Sequence, residues 1–159
     1  MRMDECGPFD EIFTHIDDET SLALHINASA MLRAAELHLT NGEAQAITTY
    51  IDPGFIKFIR ERRGVEQWKV DRLEEPYLSM PAIGVWMPDG SCLTVDGHHR
   101  LVCWAERGDE TYRIVVFNWD TLGQYLVEDF PEDFSEFIVE ETRAQTPNDV
   151  VIAKIMSGK

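Results

Sequence analysis

Apolar positions recur along this chain at two spacings, every second residue or every third to fourth, and the switches between them mark out the expected elements. Ser21-Leu22-Ala23-Leu24-His25-Ile26 alternates and stops at Asn27, which predicts a half-buried strand. Asn27 or Ser29 then caps a helix that runs to Leu39 through Ala28, Ala30, Met31, Leu32, Ala34 and Ala35, and Asn41-Gly42 closes it. Residues 43–50 fit either period and lean to helix at their start. Asp52-Pro53 opens a helix with Phe55, Ile56 and Ile59 on one side and Lys57, Arg60 and Arg63 elsewhere, ended by Gly64. Residues 65–80 read as connection. The pattern then sharpens into a strand over 81–87, a Pro88-Asp89-Gly90 turn, and a returning strand over 91–95. Asp96-Gly97 breaks that strand. A helix follows over 98–107, with Leu101, Val102, Trp104 and Ala105 apolar, then a β-branched strand over 112–117. Asp120 caps a last helix through Val127, and the first twenty residues are irregular with an anchor at Phe9, Ile12 and Phe13.

These elements predict an α+β protein: one domain over residues 1–159, with a small mixed sheet and helices packed on it. A hydrophobic fraction of 44% supplies enough apolar surface for a core and argues against a disordered chain. The start Met1-Arg2-Met3-Asp4-Glu5-Cys6 is acidic and lacks the apolar run of a signal peptide. Apolar runs such as 101–105 and 114–117 are far shorter than a membrane span. Cys6, Cys92 and Cys103 have no zinc or disulfide spacing, and Cys92 and Cys103 read as small buried hydrophobes. A reducing, cytoplasmic setting is expected, without haem, flavin or structural zinc.

Charge changes the picture more. Fourteen Lys and Arg against 29 Asp and Glu leave a net charge of -15, which repels polyanions and makes nucleic acid an unfavourable partner. The exception is local: Lys57, Arg60, Arg62, Arg63, Lys69 and Arg72 form one basic segment, read as the solvated face of an amphipathic helix and its continuation. Residues 128–159 form an acidic C-terminal extension. Within it Glu128, Asp129, Glu132, Asp133, Glu136, Glu140 and Glu141 interleave with Phe130, Phe134, Phe137 and Ile138, the spacing of an amphipathic helix packed on the core.

The chemistry concentrates at Asp96-Gly97-His98-His99-Arg100, where a strand turns into a helix. The first turn of a helix carries unpaired N–H groups and the positive end of the dipole, and a glycine there lets an anion come close. Gly97 stands at that point, followed by two imidazoles and a guanidinium whose planar fork matches phosphate oxygens. Asp96 either caps the helix, holds Mg²⁺ with a bound nucleotide, or orients an attacking hydroxyl. Adjacent histidines point in different directions on a helix, so His98 and His99 do not make a zinc pair.

Residues 81–117, with their hairpin, polar motif, helix and return strand, resemble the core of the ParB/sulfiredoxin superfamily; the recognisable part extends over about residues 78–127. Asp-Gly-His-His-Arg is most similar to the motif of its free serine kinase branch, where it binds nucleotide phosphates and takes part in phosphoryl transfer. The resemblance implies phosphate binding by Gly97, His98, His99 and Arg100, and catalytic roles for Asp96 and His98 with ATP, ADP or CTP and Mg²⁺. That branch uses an upstream glutamate as base, and Glu74 and Glu75 are the nearest by position. Sulfiredoxins carry a reactive cysteine where His98 stands, so reductase chemistry is not implied. The CTP-binding chromosome-partitioning branch has a more arginine-rich motif and a separate helix-turn-helix domain. Relatives with the compact core also occur on phages and conjugative plasmids.

Three functions stay open on the sequence. One is an enzyme for phosphoryl transfer or NTP hydrolysis at residues 96–100. Another is an acidic interaction or interference protein that keeps the fold without catalysis and meets a basic protein partner through residues 128–141. The third is a nuclease with phosphate contacts from the basic segment, disfavoured by the net charge.

Overall fold

In the computed structural model, which describes residues 1–16 and 22–130, the hairpin expected at 81–95 forms half of a four-stranded sheet. Strands β4 (Ala82–Trp86) and β5 (Cys92–Asp96) pair antiparallel across the Pro88-Asp89-Gly90 turn. Helix α4 (His98–Glu106) carries the chain over to β6 (Thr111–Phe117), which lies parallel to β4. Strand β3 (Ala44–Tyr50) completes the order β3-β6-β4-β5. The sheet is therefore mixed, and the protein is a small α+β domain.

Residue period decides which side chains face which layer. Along β6, Tyr112, Ile114 and Val116 point to one face, and Val115 and Phe117 to the other. The first face is covered by α2 (Pro53–Arg62), the short α3 (Gln67–Asp71) and α4, through Phe55, Ile59, Val70, Leu101, Val102 and Trp104. The second is covered by α1 (Ala28–Thr40) with Met31 and Ala35, and by a 3-10 turn over Trp119–Tyr125 with Leu122 and Tyr125. Two smaller strands, β1 (Ile12–Ile16) and β2 (Ala23–Asn27), form a separate antiparallel pair. Asn27 ends β2 and caps α1 by accepting the Ala30 N–H at 3.0 Å.

Four expectations are corrected by the fold. Residues 44–50 are strand throughout, because they pair with β6 in continuous register from Ala44↔Phe117 to Tyr50↔Thr111, and this pairing outweighs the helix propensity of Ala44 and Gln45. Residues 12–16 are strand rather than irregular, since β2 supplies the partner they need. Asp120 does not cap an α-helix: the segment is a 3-10 turn, after which Leu126 bridges to Ile26 and the Val127 N–H donates to the His25 carbonyl. Cys103 is only half-buried, although Cys92 is in the core. Residues 131–141, the larger part of the expected terminal helix, lie outside the described residues.

One ion pair ties the N-terminal segment to α1. Arg33 on α1 donates from both guanidinium nitrogens to Asp10, at 2.7 and 3.0 Å, and the carboxylate also accepts from Asn27 and the Gly7 N–H. Chiefly because of Arg33, the Asp10 carboxyl lies far below the ordinary carboxylate range. A few residues on, the Phe13 ring stacks on His98 at the start of α4, with centroids 5.9 Å apart. No helix among the described residues is long and apolar enough to cross a membrane.

Candidate functional site

The turn at residues 96–100 is built from a buried strand end and a helix that begins without a side-chain cap. Gly97 has φ +99°, in the left-handed region that favours glycine. A Cβ there would also meet Ala82 Cα at 2.9 Å, so the residue is dictated by the close passage of the turn over β4 as well as by its angle. The Gly97 N–H donates to Asp96 Oδ1 at 2.8 Å. Gly97 offers no side chain to cap α4, so the first-turn amides and the positive end of the helix dipole have no acceptor from the N-cap residue.

A cavity of about 200 Å³ lies against this turn, lined by Glu11, Phe13, Thr14, Arg63, Tyr77, Asp96, Gly97, His98 and His99 among others. Arg63 is its fixed cation. The guanidinium lies between the rings of Phe13 and Phe58, 5.1 and 5.2 Å from their centroids, and Nη1 donates to the Thr94 carbonyl at 3.2 Å. The same nitrogen is 3.2 Å from His98 Nε2, and the His98 ring stacks on Phe13. Burial, reinforced by the charge of Arg63, pushes the His98 imidazole well below its ordinary pKa and keeps it neutral. His99 is half-buried, accepts the Glu66 N–H on Nε2 at 3.3 Å, and is also shifted downward by burial. Asp96 is shifted upward by burial, with Arg100 opposing and Glu11 adding to the shift. The cavity thus presents one arginine, two weakly basic imidazoles and two carboxylates, Glu11 and Asp96, of which Asp96 takes a proton more readily than usual.

The structure places the expected residues unevenly. Asp96, Gly97, His98 and His99 all reach the cavity. Arg100 does not line it. It is completely buried behind the turn, where Nη2 donates to the Pro81 carbonyl at 2.8 Å and the guanidinium stacks 4.3 Å from the centre of the Tyr77 ring. Asp96 Oδ2 is 3.8 Å away, while Nε and Nη1 have no hydrogen-bond partner among the described residues. Glu74 and Glu75 are exposed ahead of the 3-10 turn Tyr77–Ser79, where Glu75 accepts from the Ser79 hydroxyl, and neither lines the cavity.

Two other residues, Arg63 and Glu11, line the cavity instead. Arg63 was grouped with a solvated basic face, but as the C-cap residue of α2 it turns back under Phe13. The rest of that face is indeed at the surface: Arg60 pairs with Glu106 at 2.9 Å and Lys69 with Glu66 at 3.3 Å. Glu11, not Glu74 or Glu75, is the upstream carboxylate at the cavity, held by its own N–H to Ser29 Oγ and by its carbonyl to the Ala28 N–H. The only local sign of Arg63 was its place in the one basic segment of an acidic chain; Glu11 had none. Compared with protein-family profiles, curated proteins and solved structures, the chain matches none.

Proposed function

We propose that this protein binds the phosphate groups of a nucleotide at the start of α4 and uses the site for phosphoryl transfer or NTP hydrolysis. The observation that carries the reading is the convergence of a pre-positioned arginine, Arg63, and the uncapped first turn of α4 on one cavity, in a chain whose net charge is -15. A bound oxyanion at this turn would meet backbone N–H groups, the helix dipole and the guanidinium together. The resemblance of residues 81–117 to the ParB/sulfiredoxin core, with an Asp-Gly-His-His-Arg motif like that of the free serine kinase branch, supports the same ligand class.

Phosphoryl transfer asks mainly for positioning and for charge stabilisation. Arg63 and the α4 amides meet the charge on the phosphoryl oxygens. Asp96, shifted upward by burial, takes the proton from an attacking hydroxyl or water, and neutral His98 and His99 donate or accept hydrogen bonds without competing for that charge. In the alternative role, with Mg²⁺ arriving on ATP, ADP or CTP, Asp96 would hold the cation through a carboxylate oxygen instead of taking the proton, with phosphate oxygens and water as the cation's other ligands.

Calorimetry with ATP, ADP, CTP and Mg²⁺, on the wild type and on Arg63→Gln, tests this reading. A charge-assisted contact of about 1.5–3 kcal/mol corresponds to roughly ten- to hundred-fold weaker binding by the variant. The proposal fails if no nucleotide binds, or if a folded Arg63→Gln protein binds as well as wild type.

A further inference from the structure

We infer that the ligand has a planar apolar end, and that this end occupies a second cavity next to the first. The inference rests on the phosphate reading above and adds the orientation and class of the molecule: a nucleotide with its phosphates at α4 and its base among Phe9, Leu32, Tyr77 and Met80. This second cavity, of about 360 Å³, shares Glu11, Tyr77 and Asp96 with the phosphate cavity, so the two adjoin at a waist formed by these residues.

The second cavity has the character of a ring-binding subsite. Phe9 is 94% exposed, and Tyr77 and Met80, each 36% exposed, are also large apolar side chains left open to water around the same cavity. Such side chains are normally scattered singly over a surface, and their concentration at one opening marks a place where an apolar group is received. Two of them are aromatic, and a base stacks on an aromatic face regardless of its identity.

Charge sets the direction in which the ligand lies. Glu11 stands at the waist, where its carboxylate repels a phosphate and accepts hydrogen bonds from neutral sugar hydroxyls. The cation of the second cavity, Arg33, is neutralised by its two-point pair with Asp10 and offers no rival phosphate site. Phosphates therefore go to Arg63 and α4, the sugar crosses the waist, and the base reaches Phe9.

The test uses the full chain with two probes, ATP or CTP and inorganic tripolyphosphate, in calorimetry at matched Mg²⁺. The wild type should bind the nucleotide at least about five-fold tighter than tripolyphosphate, the fold-change expected of one stacked base. Phe9→Ala, at a position exposed enough to leave folding intact, should lose most of that margin and keep its tripolyphosphate affinity, while Arg63→Gln should weaken both probes. Equal affinity for the two probes in wild type, or a Phe9→Ala variant with an unchanged nucleotide margin, overturns the base subsite while leaving the phosphate site standing. Binding of neither probe overturns both.

Discussion

Replacing Gly97 by alanine puts two separable loads on one turn, and their sizes follow from the geometry. A φ of +99° forces an L-residue into a region that costs roughly 1–2 kcal/mol. The added Cβ also meets Ala82 Cα at 2.9 Å and Ala82 Cβ at 3.0 Å. Arg100 Nη2, at 3.2 Å, is the end of a side chain and can shift; Ala82 is buried at the start of β4, paired with β6, and cannot. Overpacking against fixed core atoms adds about 1–3 kcal/mol. The expected loss is therefore about 2–5 kcal/mol, enough to take much of a typical domain's stability. Gly42→Ala is the matched control, with φ +73° and no atom within 4 Å of the new Cβ, so it carries the conformational load alone. Urea unfolding followed by tryptophan fluorescence should place Gly97→Ala about 1–3 kcal/mol below Gly42→Ala with unchanged denaturant slopes. Equal losses in the two variants would refute the claim that the turn is pressed against β4.

Two further outcomes test the buried polar groups. His38, 3% exposed, bonds Tyr125 Oη through Nε2 at 2.5 Å and Glu43 through Nδ1 at 3.1 Å; Tyr125→Phe strands Nε2 and should cost about 1–3 kcal/mol in the same urea assay, a loss under about 0.5 kcal/mol being the contrary result. His98 is held neutral below its ordinary pKa, so on acidification the unfolded chain takes up a proton that the native state refuses. Its contribution favours the native state above the unfolded value of about 6.5 and falls as pH drops below it, by up to roughly 1.4 kcal/mol per pH unit until the native group titrates. His98→Gln should therefore flatten stability against pH between about 6.5 and 5, with residual slope from His25 and His99, which are also lowered; identical slopes would contradict the assignment.

What could be read in the sequence was what short-range physics controls. Alternation and turn chemistry placed the 81–95 hairpin within a residue or two, because Pro88-Asp89-Gly90 specifies its own turn. Asp52-Pro53 and Asn27 announced their helices because each cap is satisfied within three residues, by Gly54 and by Ala30. Gly97 marked the strand-to-helix junction for the same reason. Segments whose state depends on a partner strand were missed: β1 exists through the neighbouring β2, and β3 through β6, which lies more than sixty residues away. The site divides along the same line. Asp96, Gly97, His98 and His99 were available to sequence reasoning because one local turn holds them together. Only the tertiary structure could bring Arg63 and Glu11 to that turn and bury Arg100 behind it, since packing of Phe13, Phe58 and Tyr77 decides which guanidinium faces the cavity. Residue type announces that an arginine can bind phosphate; which arginine faces the cavity is a property of the packed core.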